Sequence, residues 1–238
     1  MHSFFLDKMV FNHFEIINED FHHIKNVIKL KENEKIICVF NDEKFLCSIK
    51  EINTNSCKAE IISKFIDEKK DYKVNLILGI IREQKWDFVL QKATELGADC
   101  IIPVEFKRNV VKIDIKKEIN KISRWYSICE NAAKQSKRNN IPRIKPIIRK
   151  LEDLKEYNSD LNLICWEDDN SNFIKNEIKN SFETINIVIG PEGGISEQEV
   201  NLLNKMGYKS VNLGNNIMRA ETVPLYVLSC LNYEKNKG

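Results

Sequence analysis

No C-x-x-C pair occurs in this chain, and no histidine follows His23. The seven cysteines, at positions 38, 47, 57, 100, 129, 165 and 230, are odd in number, scattered and mostly set inside apolar runs. These absences argue against a zinc site, which needs closely spaced ligands, and against a disulfide framework. The expectation is no metal and buried, reduced thiols in a cytoplasmic protein. His22 and His23 then read as surface or packing residues. No apolar run approaches the roughly 18 residues that cross a bilayer, so no membrane partner is expected. The opening Met1-His-Ser-Phe-Phe-Leu-Asp7 is too short and too soon charged for a signal peptide. Glycine and proline are scarce, 8 and 5 among 238 residues, while 42% of the chain is hydrophobic and 30% charged. That balance excludes a disordered or low-complexity protein and allows a substantial core in one or two domains.

Two glycine turns near the C-terminus carry the strongest local signal. Ile185, Ile187, Val188 and Ile189 read as a buried strand, which Gly190-Pro191 stops. Gly193 and Gly194 follow, able to adopt positive φ and leaving no side chain in a ligand's way. Ser196 and Glu199 then form an S-x-x-E capping box, so a helix begins. Strand, bare turn and capped helix make a concave site, although a tight connection in an α/β domain is the plainer reading. The turn lacks the Gly-Lys-Ser/Thr ending of a phosphate-binding P-loop and the spacing of a dinucleotide fingerprint. From Val211 to Leu225 the order repeats: strand, glycine turn at Gly214, and a helix preceded by Arg219 and Glu221.

Positive charge is concentrated in one block. Residues 105–150 carry 14 Lys and Arg against 4 Asp and Glu, whereas residues 151–238 carry 8 against 14. Such a block is an electrostatic footprint for nucleic acid, or a solvated helix face. Its centre is a basic helix over 116–138, including Arg124, Lys134, Lys137 and Arg138, ended by Pro142.

Residues 1–70 read as a small β-barrel. Its strands are 36–40, 45–49 and 57–62, with a polar hairpin loop at Asn41–Lys44 and a short helix at His22–Lys29. Residues 66–73 suit a linker. Strand 74–81, a helix with Trp86, Val89, Leu90, Ala93 and Leu96 on one stripe ended by Gly97, and strand 101–104 imply a parallel sheet covered on both faces. Lys85 and Lys92 on that helix could face RNA, with a solvated face as the default reading. A strand at 161–167 ends in Trp-Glu-Asp-Asp, at the end of a strand where α/β folds hold ligands.

The pair I-G-P-E-G-G-I-S and L-G-N-N-I-M-R-A-E-T resembles the RsmE family of the SPOUT methyltransferases. Glu105–Lys112 and Glu130–Arg138 also follow that family's elements, with Lys134 where glutamate is common. Asn215-Asn216 stands where the family often has Pro-Arg. The resemblance implies an α/β fold: a SPOUT-type parallel sheet with a trefoil knot over 71–238, and a PUA-like RNA-binding β-barrel over 1–70. It implies a homodimer, with Tyr226, Leu228 and Leu231 of the last helix partly at the interface. It further implies S-adenosyl-L-methionine, held by Trp166, Ile189, Gly190, Gly194, Leu213, Gly214, Ile217, Met218 and Thr222. The substrate would be 16S ribosomal RNA or the small ribosomal subunit, contacted by Arg108, Lys112, Gln135, Lys137 and Arg138. The reaction would be methylation of uridine N3.

Arg219 suits the stabilisation of charge spreading onto uracil oxygens, being always charged and offering a planar fork. Glu221 could orient Arg219 or accept the N3 proton. Two other readings stay open at this stage: a non-catalytic RNA-binding protein of ribosome assembly, and a SPOUT enzyme acting on a ribose 2′-hydroxyl. The basic block yields a first prediction. RNA affinity should fall with salt, and each phosphate contact removed among Lys112, Lys137 and Arg138 should lower the slope by about 0.7 to 0.9. Filter binding across a salt series checks this, and an unchanged slope in the triple alanine variant would remove these residues from the RNA interface.

Overall fold

Short strands with alternating burial build the first compact unit, and near-continuous apolar strands build the second. The computed structural model describes residues 1–66, 70–167 and 172–235; residues 67–69 of the expected linker, and Asp168 and Asp169, lie outside them. The first unit comprises residues 1–69 with 133–140, and the second comprises 70–132 with 141–238.

In the first unit, β1 (Ser3–Phe5), β2 (Met9–Val10), β3 (His13–Ile17), β4 (Lys35–Phe40), β5 (Glu43–Ile52) and β6 (Ser56–Lys64) form one sheet in the order β1-β4-β5-β6-β3-β2. The sheet is the small barrel-like domain expected, curled into a half-barrel, with the three-residue β1 and the two-residue β2 at its two ends. Register shifts between β5 and β6 at Leu46/Cys47 and Ile49/Glu51 supply curvature, because an extra residue on one strand bends it. Inward side chains bury Phe14, Ile16, Ile36, Cys38, Cys47, Ile49 and Ala59. Cys38 and Cys47 are free thiols in this dry core, and the hydrogen-bonding Cys47 side chain together with burial pushes the Cys38 thiol pKa far upward.

The β4–β5 hairpin is tighter than the sequence suggested. Asn41 and Asp42 both have positive φ, 50° and 60°, and β5 already starts at Glu43. This is a two-residue turn, and Asn and Asp tolerate its left-handed geometry without glycine. The expected helix over His22–Lys29 is instead α1 (Asn18–His22) followed by a π-helical stretch, His23–Ile28, closed by Lys29 in the left-handed region. His22 bonds the Asn26 amide at 2.9 Å, and His23 packs edge-on against Phe4.

In the second unit, β7 (Lys73–Gly79), β8 (Cys100–Val104), β9 (Arg143–Ile144), β10 (Leu161–Cys165), β11 (Thr184–Ile189) and β12 (Lys209–Val211) form a fully parallel sheet, ordered β12-β10-β11-β7-β8-β9. Side chains alternate between its faces, as the two-residue period of a strand requires. Val74, Leu76, Leu78, Ile185, Ile187 and Ile189 face one core, and Ile77, Ile102, Ile164 and Val188 face the other. The first core is covered by α2 (Glu83–Glu95), by α3 (Ile115–Gln135) through Trp125 and Cys129, by α4 (Ile174–Ile178) and by α6 (Val223–Lys235). The second is covered by α5 (Glu197–Lys205) and a 3-10 stretch, Leu151–Tyr157.

Two sequence expectations change here. Leu228 and Leu231 are buried in their own chain's core, which leaves only Tyr226, 39% exposed, of the three expected interface residues. The basic helix ends at Gln135, and several cations of the basic block over 105–150 are already paired. Arg124 chelates Asp87, Lys121 bonds Glu83 at 2.7 Å, Arg149 bonds Glu118 at 2.7 Å, and Lys134 bonds Asp20 at 3.0 Å. Among the described residues, no helix is long and apolar enough to cross a membrane.

Three asparagines cross the amino ends of the central strands in register: Asn162 opposite Asn186, and Asn186 opposite Asn75. Asn186 is fully buried. Its carbonyl accepts from Asn75 and Ser159, each at 2.9 Å. Its amide donates to Asn162 at 2.8 Å and to the Tyr157 carbonyl. A one-residue slip would carry these groups to the opposite, apolar face, so the ladder fixes the register of the strands that bear the loops above. Asn186→Ala strands several buried partners at once and should cost at least about 2 kcal/mol. Urea denaturation checks this; a loss under about 0.5 kcal/mol would show that the ladder does not hold the sheet.

Candidate active site

The carboxyl ends of β10, β11 and β12 open into three loops, the position where open parallel sheets hold ligands. The glycine turn after β11 fits because neighbouring backbone occupies the space a side chain would need. A Cβ on Gly79, the last residue of β7, would strike the Pro191 nitrogen, and one on Gly190 would stand 2.7 Å from Ile195 Cγ1. One on Gly193 would stand 2.8 Å from the Arg108 carbonyl oxygen. Gly194 has φ +70°, which side-chain-bearing residues rarely adopt. The capping box then starts α5: Glu199 Oε2 accepts the Ser196 N–H at 2.9 Å and its hydroxyl at 2.6 Å. The second oxygen of Glu199 accepts the Lys107 N–H at 2.6 Å, tying the loop after β8 to the same turn.

The loop after β12 is held by Asn212. Its side chain accepts the Gly214 N–H at 2.6 Å, while its backbone bonds Asn172 and Ile174. Gly214 sits at φ +126°. Between the loops lie two contiguous chambers of about 320 and 420 Å³, sharing Cys165, Trp166, Glu167, Ile217, Met218 and Val223. Their size is that of a small-molecule site. The first is walled by Trp166, Phe173, Leu213, Met218 and Val223 together with the polar Glu167, Asn212, Asn215 and Asn216, a slot of mixed character for a flat ring with polar edges. The second is walled by the glycine turn and by Lys85, Glu192, Arg219 and Glu221.

Eight of the nine residues expected at the cofactor line these chambers: Trp166, Ile189, Gly190, Gly194, Leu213, Gly214, Ile217 and Met218. Ile217 is 82% exposed. Thr222 lines neither chamber; it caps α6, its N–H donating to the Arg219 carbonyl at 2.8 Å and its carbonyl accepting from Tyr226. Arg219 and Glu221 share the second chamber, but the ion partner of Glu221 is Lys85, at 3.0 Å. Burial pushes the Glu221 carboxyl upward. Its own backbone N–H, the Lys85 ammonium and the charge of Arg219 outweigh that, and the net shift is downward from 4.5. It stays a carboxylate at neutral pH. Burial pushes the Cys165 thiol to about 12, so this wall residue stays neutral.

The expected RNA contacts divide between the units. Arg108 and Lys112 belong to the second, Arg108 donating to the Gly193 carbonyl at 3.4 Å. Gln135, Lys137 and Arg138 belong to the first, where Gln135 and Lys137 are exposed and Arg138 bonds the Asn140 side chain at 2.8 Å. Sequence reasoning missed Lys85, Glu167, Glu192, Phe173 and Asn212. Only Asn212 carried a local signal, as the start of an Asn-x-Gly turn.

The profile of the RNA methyltransferase domain matches residues 68–232, and that of the RNA methyltransferase PUA domain matches residues 16–62. The ribosomal RNA small subunit methyltransferase E of Bacillus subtilis is 33% identical, over 93% of this chain and 90% of its own length. That of Mesomycoplasma hyopneumoniae is 39% identical over 96% and 98%. The crystal structure of a ribosomal RNA small subunit methyltransferase E from Neisseria gonorrhoeae, bound to S-adenosyl methionine, superposes with a TM-score of 0.87 at 26% identity, covering 98% and 97% of the two chains.

Removing Lys85 tests the pair electrostatics. In Lys85→Met the downward contributions shrink and burial gains weight, so the Glu221 pKa should rise. Because the folded-state value is depressed, the pair adds stability above the ordinary value of 4.5 and loses it as pH falls through the folded value. NMR titration of the Glu221 carboxyl checks the direction; an unmoved pKa would mean that Lys85 does not hold this carboxylate.

Proposed function

We propose a function from one premise: this chain belongs to the ribosomal RNA small subunit methyltransferase E (RsmE) family. It methylates N3 of a uridine in 16S ribosomal RNA, using S-adenosylmethionine. The observation that carries this reading is the built cavity between the glycine turns, with a slot beside Trp166 and Phe173 at one end and Arg219 at the other. The bare backbone at Gly190 and Gly194 and the slot between Trp166, Phe173, Leu213 and Met218 fit an adenosine-bearing ligand. When bound, S-adenosylmethionine supplies an electrophilic methyl group. The chain's own residues orient it.

Uracil N3 is a weakly acidic imide, engaged by pairing in a duplex, so the target base enters unpaired or extruded. As N3 gives up its proton, negative charge spreads onto the flanking carbonyl oxygens, and Arg219 stabilises it there. Glu221, held as a carboxylate by Lys85, stands in the same chamber as Arg219, where it orients that guanidinium or accepts the N3 proton. The alternative ribose chemistry would not need a cation beside a base carbonyl.

The reading extends to the rest of the chain. Residues 1–70 act as an RNA-binding domain and 71–238 as the catalytic domain. Lys112, Gln135, Lys137 and Arg138 contact RNA, on free 16S RNA or on the small subunit. The enzyme works in the cytoplasm as a homodimer, a reading supported by the exposed Tyr226 and Tyr233 of α6. The segment after β12 forms a trefoil knot. Its support is the return of the chain from the sheet edge to bring Ala220 and Pro224 beside Gly79, Ile189 and Gly190.

Arg219→Ala should leave S-adenosylmethionine and RNA binding nearly intact while lowering the methylation rate by roughly 10²–10³. Lysine should restore only part, since a point charge lacks the fork. Single-turnover transfer with both substrates saturating separates chemistry from binding. A normal rate in Arg219→Ala would make Arg219 structural and sink the mechanism.

A further inference from the structure

Arg108 and Glu167 place opposite charges around one empty point. A Cβ on Gly194 would stand 3.7 Å from Glu167 Oε1 and 3.9 Å from Arg108 Nη1. Both charged groups therefore reach the space that Gly194 leaves open, yet among the described residues they form no ion pair with each other. The Arg108 side is rigidly supported. The Lys107 N–H is bound by Glu199 at 2.6 Å, and buried Asn109 donates to the Ile80 carbonyl at 3.1 Å. The Arg108 carbonyl packs on Gly193, and its guanidinium rests on the Gly193 carbonyl. Glu167 walls both chambers of the cavity.

An RNA phosphate gains from Arg108 but is repelled by Glu167. A ligand that uses both must carry a negative and a positive group a short distance apart, and an α-amino acid does. We propose that Arg108 and Glu167 form a clamp for the amino-acid end of the methyl donor, Arg108 taking its carboxylate and Glu167 its ammonium group. This rests on the methyl-donor reading of the cavity and moves Arg108 from an RNA contact to a cofactor-positioning residue. Guanidinium suits the task because its fork meets both oxygens of a carboxylate. The clamp holds the end of the donor beyond the sulfur, so it sets the direction in which the methyl group points without touching the base.

Calorimetry with two neutral thioethers isolates that end. S-adenosylhomocysteine carries the amino-acid chain; 5′-methylthioadenosine shares the adenosine and sulfur but lacks it. Arg108→Ala and Glu167→Gln should each weaken S-adenosylhomocysteine about tenfold, the usual worth of a charged hydrogen bond, and leave methylthioadenosine unchanged. Unchanged methylthioadenosine binding also certifies that the variants are folded. Equal losses on both ligands would overturn the clamp, because the residues would then be shaping the whole cavity. Arg108→Ala that spares both ligands but weakens RNA would overturn it in favour of a phosphate contact. Wild type that binds neither thioether would contradict the methyl-donor reading itself, a result distinct from failure of the clamp.

Discussion

Close backbone packing at one glycine turn is the constraint on which the site depends. Pro191 sits against Gly79, Ile195 against Gly190, and the Arg108 backbone against Gly193, each at a distance that admits no side chain. Three strand ends, β7, β8 and β11, are thereby locked to one turn, and that turn walls one side of the cavity between the loops after β10, β11 and β12. The asparagine ladder acts at the opposite end of the same sheet by pinning register. Its position matters because a slip of one residue along β11 would reverse every inward side chain and move Gly190 out of contact. Register at one end and bare backbone at the other together fix the geometry between.

Electrostatics then divides the cavity's charged wall by task. Lys85 and Glu221 satisfy each other, which keeps the carboxylate ionised and fixes the segment ahead of α6. Arg219 is exposed and shares the same chamber. The charge block in the middle of the chain is less uniform than its count suggests, since Lys121, Arg124, Lys134 and Arg149 hold carboxylates of their own chain. Partly exposed pairs of this kind contribute modestly to stability, but they remove those cations from the set free to meet phosphate.

Much of this was legible in the sequence where the signal is local. Strand 185–189, the capping box and the stripe of α2 follow from period and capping chemistry, and the structure has all three. The two glycine segments located the cavity because strand, turn and helix are written consecutively. What stayed hidden depends on residues far apart in the chain. Lys85 meets Glu221 across 136 positions, and no spacing rule reaches that far. Thr222 looked like a wall residue because it lies inside the motif, yet the helix start claims its backbone. The half-barrel opens at strands of two and three residues, too short to show a period.

The central claim is that the cavity presents a methyl donor to N3 of a uracil in small-subunit RNA. The most direct measurement incubates the purified protein with S-adenosylmethionine and either 16S RNA or small-subunit particles. The RNA is then digested to nucleosides and the methylated product identified by mass spectrometry. The account predicts new 3-methyluridine, formed at one site, in RNA from cells lacking the gene, and no further methylation of RNA from cells that possess it, where that position already carries the methyl group. A 2′-O-methylated nucleoside, or no methylated product on either substrate taken from cells lacking the gene, would contradict it.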